Sequence, residues 1–150
     1  MTIRNVNSAR AACAFVFASL LFAGVANAGT VSVSGGWIRA LPANVPSGGY
    51  FNLSNDSGKR IVLTGAASPA CGMLMLHKSD TTGGMASMSD VAGIAVAVGA
   101  RLSFAPGGYH LMCEDPTGAV KPGANVPVEL QFSDKTSVRV PFAVKDARGK

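Results

Sequence analysis

His77 and His110 are the only imidazoles in the 150-residue chain, and each stands in a methionine-bearing run, Met73-Leu74-Met75-Leu76-His77 and His110-Leu111-Met112. Side chains of a strand alternate between its faces, so Leu74 and Leu76 point one way and Met73, Met75 and His77 the other. In the second run Tyr109 and Leu111 share one face, leaving His110 and Met112 on the opposite one. With the leucines and the tyrosine turned inward, each histidine is expected on the outer face or at a rim, with thioether sulfur beside it. A lone histidine is more often a hydrogen-bonded surface group than a ligand, and methionine is a routine core filler. Here, however, five of the six methionines (Met73, Met75, Met85, Met88 and Met112) fall in the same window as both histidines. That coincidence makes a metal site the leading candidate for chemistry.

The ligand types select the ion. Thioether sulfur is soft and uncharged and suits copper(I), whereas hard cations take oxygen and structural zinc takes thiolate or imidazole. Two imidazoles and two thioethers form a neutral shell that holds a monovalent ion without thiolates, which an oxidising compartment could convert to disulfide. A thioether is also a weaker ligand than a thiolate, so such a site can release its metal to a thiol-bearing partner.

The elements that must position these groups read as short strands. Apolar or alternating runs near Val31–Ala40, Gly49–Leu53, Arg60–Gly65, Met73–His77, Ala86–Val91, Arg101–Phe104, Tyr109–Cys113, Val126–Phe132 and Ser137–Val144 are separated by Gly, Pro, Asn, Asp and Ser clusters. Helical signals are scarce beyond Ala28. This spacing predicts an all-β antiparallel sandwich or barrel. No repeat or linker divides the region, and the polar end from Lys145 to Lys150 is expected to fray.

Compartment constrains the chemistry further. Arg4 and Arg10 precede an apolar run, Ala11 to Ala23, which leads to Ala26-Asn27-Ala28. That is the pattern of a secretory signal peptide over residues 1–28, with cleavage after Ala28 and a mature domain over 29–150. The run is too short for a spanning helix, so no membrane insertion is expected after cleavage. Cys13 lies early in the run, away from the place of a lipid-modified cysteine. The mature part carries eleven basic and eight acidic residues. The basic ones are scattered, and nucleic-acid binding is excluded for want of a basic stripe.

In matching flanks, the ligand spacing resembles the periplasmic copper chaperone family called PCuAC, whose signature is a His, ten residues, a Met, twenty-one residues, then His-x-Met. His77, Met88, His110 and Met112 fit every interval. The segments Gly36-Trp37-Ile38-Arg39-Ala40, Ser47-Gly48-Gly49-Tyr50, Gly65-Ala66-Ala67-Ser68-Pro69 and Ala105-Pro106-Gly107-Gly108-Tyr109-His110 are similar to the family as well, so the likeness covers nearly the whole mature chain. It implies a single cupredoxin-like β-sandwich of Greek-key type in the periplasm, with His77, Met88, His110 and Met112 as ligands of one copper(I) ion and copper(II) held more weakly. It also implies delivery toward cytochrome c oxidase, directly to an oxidase copper domain or through a thiol-bearing accessory protein. The protein is expected to be monomeric.

The chain departs from the family at its edges. Ser79 and Glu114 stand where many members carry further methionines, and Met85 is a partial substitute. Met73 and Met75 read first as packing against a loop, and second as a soft docking patch or weak secondary site. Cys113 raises the alternative of a blue-copper-like electron carrier, but alternation puts it on the face of Leu111, away from His110 and Met112. A structural role is preferred, as a buried thiol or in a disulfide with Cys71. A third reading is an envelope module that sequesters copper. Catalysis is not expected, because no third group is marked out to activate a nucleophile and a saturated soft site leaves no open position for water.

Overall fold

The computed structural model describes residues 29–42 and 45–150. The expected leader, residues 1–28, lies outside the described residues. Ten strands follow in chain order: β1 (Val31–Arg39), β2 (Ser47–Asn55), β3 (Ile61–Ala67), β4 (Cys71–Asp80), β5 (Ser87–Asp90), β6 (Ile94–Val96), β7 (Arg101–Phe104), β8 (Tyr109–Pro116), β9 (Asn125–Phe132) and β10 (Ser137–Lys145). A 3₁₀ turn, Thr82–Gly84, joins β4 to β5, and no α-helix occurs among the described residues.

Nine of these strands match the runs read from the sequence. The exception, β6, is only three residues long, too short for alternation to register, and it forms because Ala95 and its neighbours pair with β3. The strands make one curled sheet in the order β5-β4-β8-β7-β2-β1-β10-β9-β3-β6. Pairing is antiparallel except between β1 and β10 and at the Phe104–Tyr109 pair of β7 and β8. The curl brings β3 against β4 across the interior. The result is the all-β, cupredoxin-like architecture expected. Its core is made by one face of each long strand, with Ile38, Phe51, Leu53, Leu111, Val128, Leu130 and Phe142 fully buried. Each such side chain stabilises the fold by about 1.5–3 kcal/mol.

A bulge in β1 decides what faces away from that core. Pairing with β2 shifts between Ser34 and Trp37, where Gly35 adopts a φ of 62° that an L side chain rarely tolerates. Before the bulge the half-buried positions are Val31 and Val33; after it the buried one is Ile38. The change of phase turns Trp37 and Arg39 onto the outer face.

Asn55, fully buried at the end of β2, pins the edge that the sequence hides. Its side-chain NH₂ donates to the carbonyls of Lys59, Val96 and Ala97 at 2.8–3.1 Å, and its Oδ1 accepts from the Ser57 amide and hydroxyl. A satisfied buried amide of this kind stabilises, and losing it would orphan several partners at about 1–3 kcal/mol each. It therefore holds the end of β6 against the β2 turn.

Cys71 and Cys113 form a disulfide across 42 positions, with Cα atoms 5.4 Å apart. Of the two structural roles open to Cys113, the bridge is the one adopted. The electron-carrier alternative is corrected at the same point: the Cys113 sulfur is bonded to Cys71 and is fully buried, so it supplies no thiolate ligand. The bridge ties β4 to β8, the two strands that carry both histidines.

Candidate metal centre

Strand register assembles the His and Met side chains. His77 of β4 lies directly opposite His110 of β8 on one side and Asp90 of β5 on the other. Met75 is opposite Met112, and Met73 opposite Glu114. Ser79 is opposite Met88. Directly opposed residues share a face, as do residues two apart on one strand. His77, His110, Met75, Met88 and Met112 therefore stand on one face of the β5-β4-β8 edge, with Leu74, Leu76, Leu111 and Cys113 behind them in the core.

The expectation that both histidines emerge at the surface needs correction. His110 is 5% exposed and the His77 side chain 12%. The face is the outer one, but Met88, Pro106 and Gly107 wall a groove over His110, together with Met112, Arg39 and Tyr50. Sequence alternation gives the face and not what lies across it. The rings sit edge to face, centroids 5.7 Å apart.

Each ring is prepared differently. The Nδ1 of His110 is 3.1 Å from the Gly108 carbonyl. A carbonyl only accepts, so Nδ1 carries the proton in this contact and the Nε2 lone pair is left for another partner. For His77, Nε2 stands 2.9 Å from Asp90 Oδ1 as an ion-pair contact, and neither ring nitrogen, both buried, makes a hydrogen bond. Buried polar atoms in that state are uncommon. Two imidazoles with ring centroids 5.7 Å apart and thioethers on the same face suit a soft cation lying between them.

Met112 is half-buried and Met88 is 61% exposed. Met88 belongs to a four-residue edge strand whose positions are all exposed, and β5 bonds only to β4. Met85 lies beyond the 3₁₀ turn, 79% exposed and outside the paired region. Among the described residues no three His, Cys, Asp or Glu side chains cluster as a metal site. Beside the two histidines on this face stand the thioethers of Met75, Met88 and Met112, donors that suit a soft cation better than a hard one.

Sequence reasoning missed the cationic wall of this groove. Arg39, turned outward by the β1 bulge, has its guanidinium 5.6 Å from the ring centres of Trp37 and Tyr50, and the Lys145 ammonium is 5.1 Å from Trp37. Gly48 pairs with Met112, and a Cβ there would clash with the Tyr50 hydroxyl. The missing side chain lets Tyr50 lie between the basic cluster and the thioether. The quoted segments Gly36–Ala40 and Ser47–Tyr50 contain these residues, but nothing in their local pattern reveals the shared groove.

An outer-face groove with imidazole and thioether donors on the edge of a curled β-sheet defines the class: a cupredoxin-like β protein with a soft donor set. The family model "Putative lipoprotein LpqE-like" matches residues 31–144, and the chain belongs to this family. It is 30% identical over 120 residues to "Putative lipoprotein Lxx21020" of Leifsonia xyli subsp. xyli, covering 79% of this chain and 72% of that protein. Among solved structures, the copper-bound PCuAC domain from PmoF2 has a TM-score of 0.65 at 21% identity, covering 79% of this chain and 95% of that one. That likeness concerns the fold alone. The solution structure of apo-DR1885 from Deinococcus radiodurans gives 0.60 at 27% identity over 96% and 97% of the two chains. The copper(I) form of DR1885 gives 0.60 at 28% identity, over 82% of this chain and 81% of that one.

Proposed function

We propose that this protein is a copper(I) carrier of the bacterial periplasm, holding one ion between His77, Met88, His110 and Met112. The carrying observation is the strand register that opposes His77 to His110 and sets Met88 and Met112 on the same face. The copper(I) form of DR1885, 28% identical, supports the reading from outside the chain, as the lipoprotein names of the relatives support export. Residues 1–28 act as the cleaved leader and residues 29–150 as a monomeric, non-enzymatic carrier.

In this mechanism the Gly108 carbonyl fixes the His110 ring so that Nε2 faces the ion. His77 contributes a second imidazole, whose Nε2 stands 2.9 Å from Asp90 Oδ1 and makes no hydrogen bond. The thioethers complete a neutral shell in which monovalent copper brings the only charge. Met88 is the ligand an incoming thiolate displaces first, because it is the most exposed and stands on an edge strand bonded on one side. The acceptor is a thiol-bearing accessory protein or an oxidase copper domain.

Titration under reducing conditions against a chromophoric copper(I) chelator tests the proposal. One copper(I) per chain is expected, with no intense visible band when copper(II) is offered instead. A chain that leaves all copper(I) with a weak chelator is not this carrier. Retention of the whole load in the presence of a reduced dithiol acceptor would favour sequestration.

A further inference from the structure

We infer that Met75 is a fifth ligand of the same site, an alternative thioether that takes the place of Met88 in the copper shell. The inference rests on the copper reading above and adds a residue to it. Met75 lies directly opposite Met112, and the row beside it is His77 opposite His110. Directly opposed Cβ atoms are about 4.5–5.5 Å apart, and successive rows on one face are separated by about 6.8 Å along the strand. Met75, Met112, His77 and His110 thus occupy the corners of a rectangle small enough for all four side chains to reach one ion above its centre.

Met88 stands on the other side of the histidine row, opposite Ser79, and is diagonal to His77. By register it is no nearer to the imidazole pair than Met75. The two thioethers also border different grooves. Met88 lines one with His110 and Met112, while Met75 lies where β5 no longer pairs with β4, on a groove shared with Leu74, Leu76, Asp90 and the β3 residues Thr64 and Gly65. By register the histidine row is flanked by thioether from both directions, one donor more than a four-ligand shell uses. The surplus donor has a use in transfer. When Met88 leaves the ion to open a place for an incoming thiolate, Met75 on the other side of the histidine row keeps copper four-coordinate, and it yields in turn as the thiolate bonds.

Leucine replaces methionine at nearly constant volume without a sulfur, so Met75→Leu and Met88→Leu preserve packing. Copper(I) affinity by chelator competition and sulfur neighbours by X-ray absorption are to be measured for the wild type, each single variant and the pair. Each single variant is expected to lose less than about tenfold in affinity and to keep two sulfur neighbours. The double variant should lose more than about a hundredfold, beyond the product of the singles, and fall to one sulfur. If Met88→Leu alone falls to one sulfur, or adding Met75→Leu to it changes neither quantity, Met75 is not a ligand and the four-residue site stands. Failure of the wild type to bind copper(I) would instead defeat the carrier reading. Thermal melts of all four proteins separate ligand loss from misfolding.

Discussion

Replacing both imidazoles, His77→Phe together with His110→Phe, is expected to abolish measurable copper(I) binding in chelator competition while leaving the thermal melt close to that of the wild type. The loss should exceed the about 10- to 100-fold that removal of a mere supporting partner costs a metal site, because only thioethers would remain. Phenylalanine keeps most of each ring's volume, and neither ring belongs to the apolar core. The Gly108 carbonyl, deprived of His110 Nδ1–H, still accepts the amide of Ser79 at 3.1 Å. The backbone bond between the β4 end and the turn before β8 therefore survives. Binding that persists in the double variant within tenfold of wild type would remove the histidines from the site.

Removing the bridge, Cys71→Ala with Cys113→Ala, is expected to have the largest effect on stability. Closing a loop of 42 residues restricts the unfolded chain by about 4 kcal/mol on the chain-entropy account. For a domain of this size that corresponds to a fall in Tm on the order of 10 °C. Copper(I) affinity should change by less than about tenfold, since β4 and β8 remain paired from Met73 through Lys78 without the bridge. The bridge also keeps two thiolates out of reach of the metal, so the wild type should show no copper-thiolate charge-transfer absorption. A Tm that is the same for wild type and variant would mean that the bridge contributes nothing.

The face of each candidate ligand was legible because period-2 alternation is a local property. Leu74 and Leu76 in, His77 out, and Cys113 behind His110 all follow from backbone geometry. Burial of His110 was not legible, since its cover comes from Met88 and Tyr50 on other strands and from the turn at Pro106, whose placement over the ring alternation does not give. The same holds for Arg39. Its outward aim depends on a bulge at Gly35, and a strict alternation carried through from Val31 and Val33 would have sent it into the core. The strand β6 escaped because three residues carry no period, and its anchor is a side chain, Asn55, in a segment that reads as a turn. The disulfide was one of two structural options for Cys113, because Gly72 gives no indication of how Cys71 is aimed. Met75 reads first as packing and second as a docking patch or weak secondary site, and its register with Met112 was not legible: alternation gives a residue's face but not its neighbour on the next strand.

X-ray absorption at the copper edge of the copper(I)-loaded protein addresses the central claim most directly, because it counts the neighbours of the ion by element. Two nitrogen and two sulfur neighbours are predicted, with both sulfurs retained when either Met75 or Met88 is replaced by leucine. A shell of nitrogen and oxygen without sulfur would contradict the account.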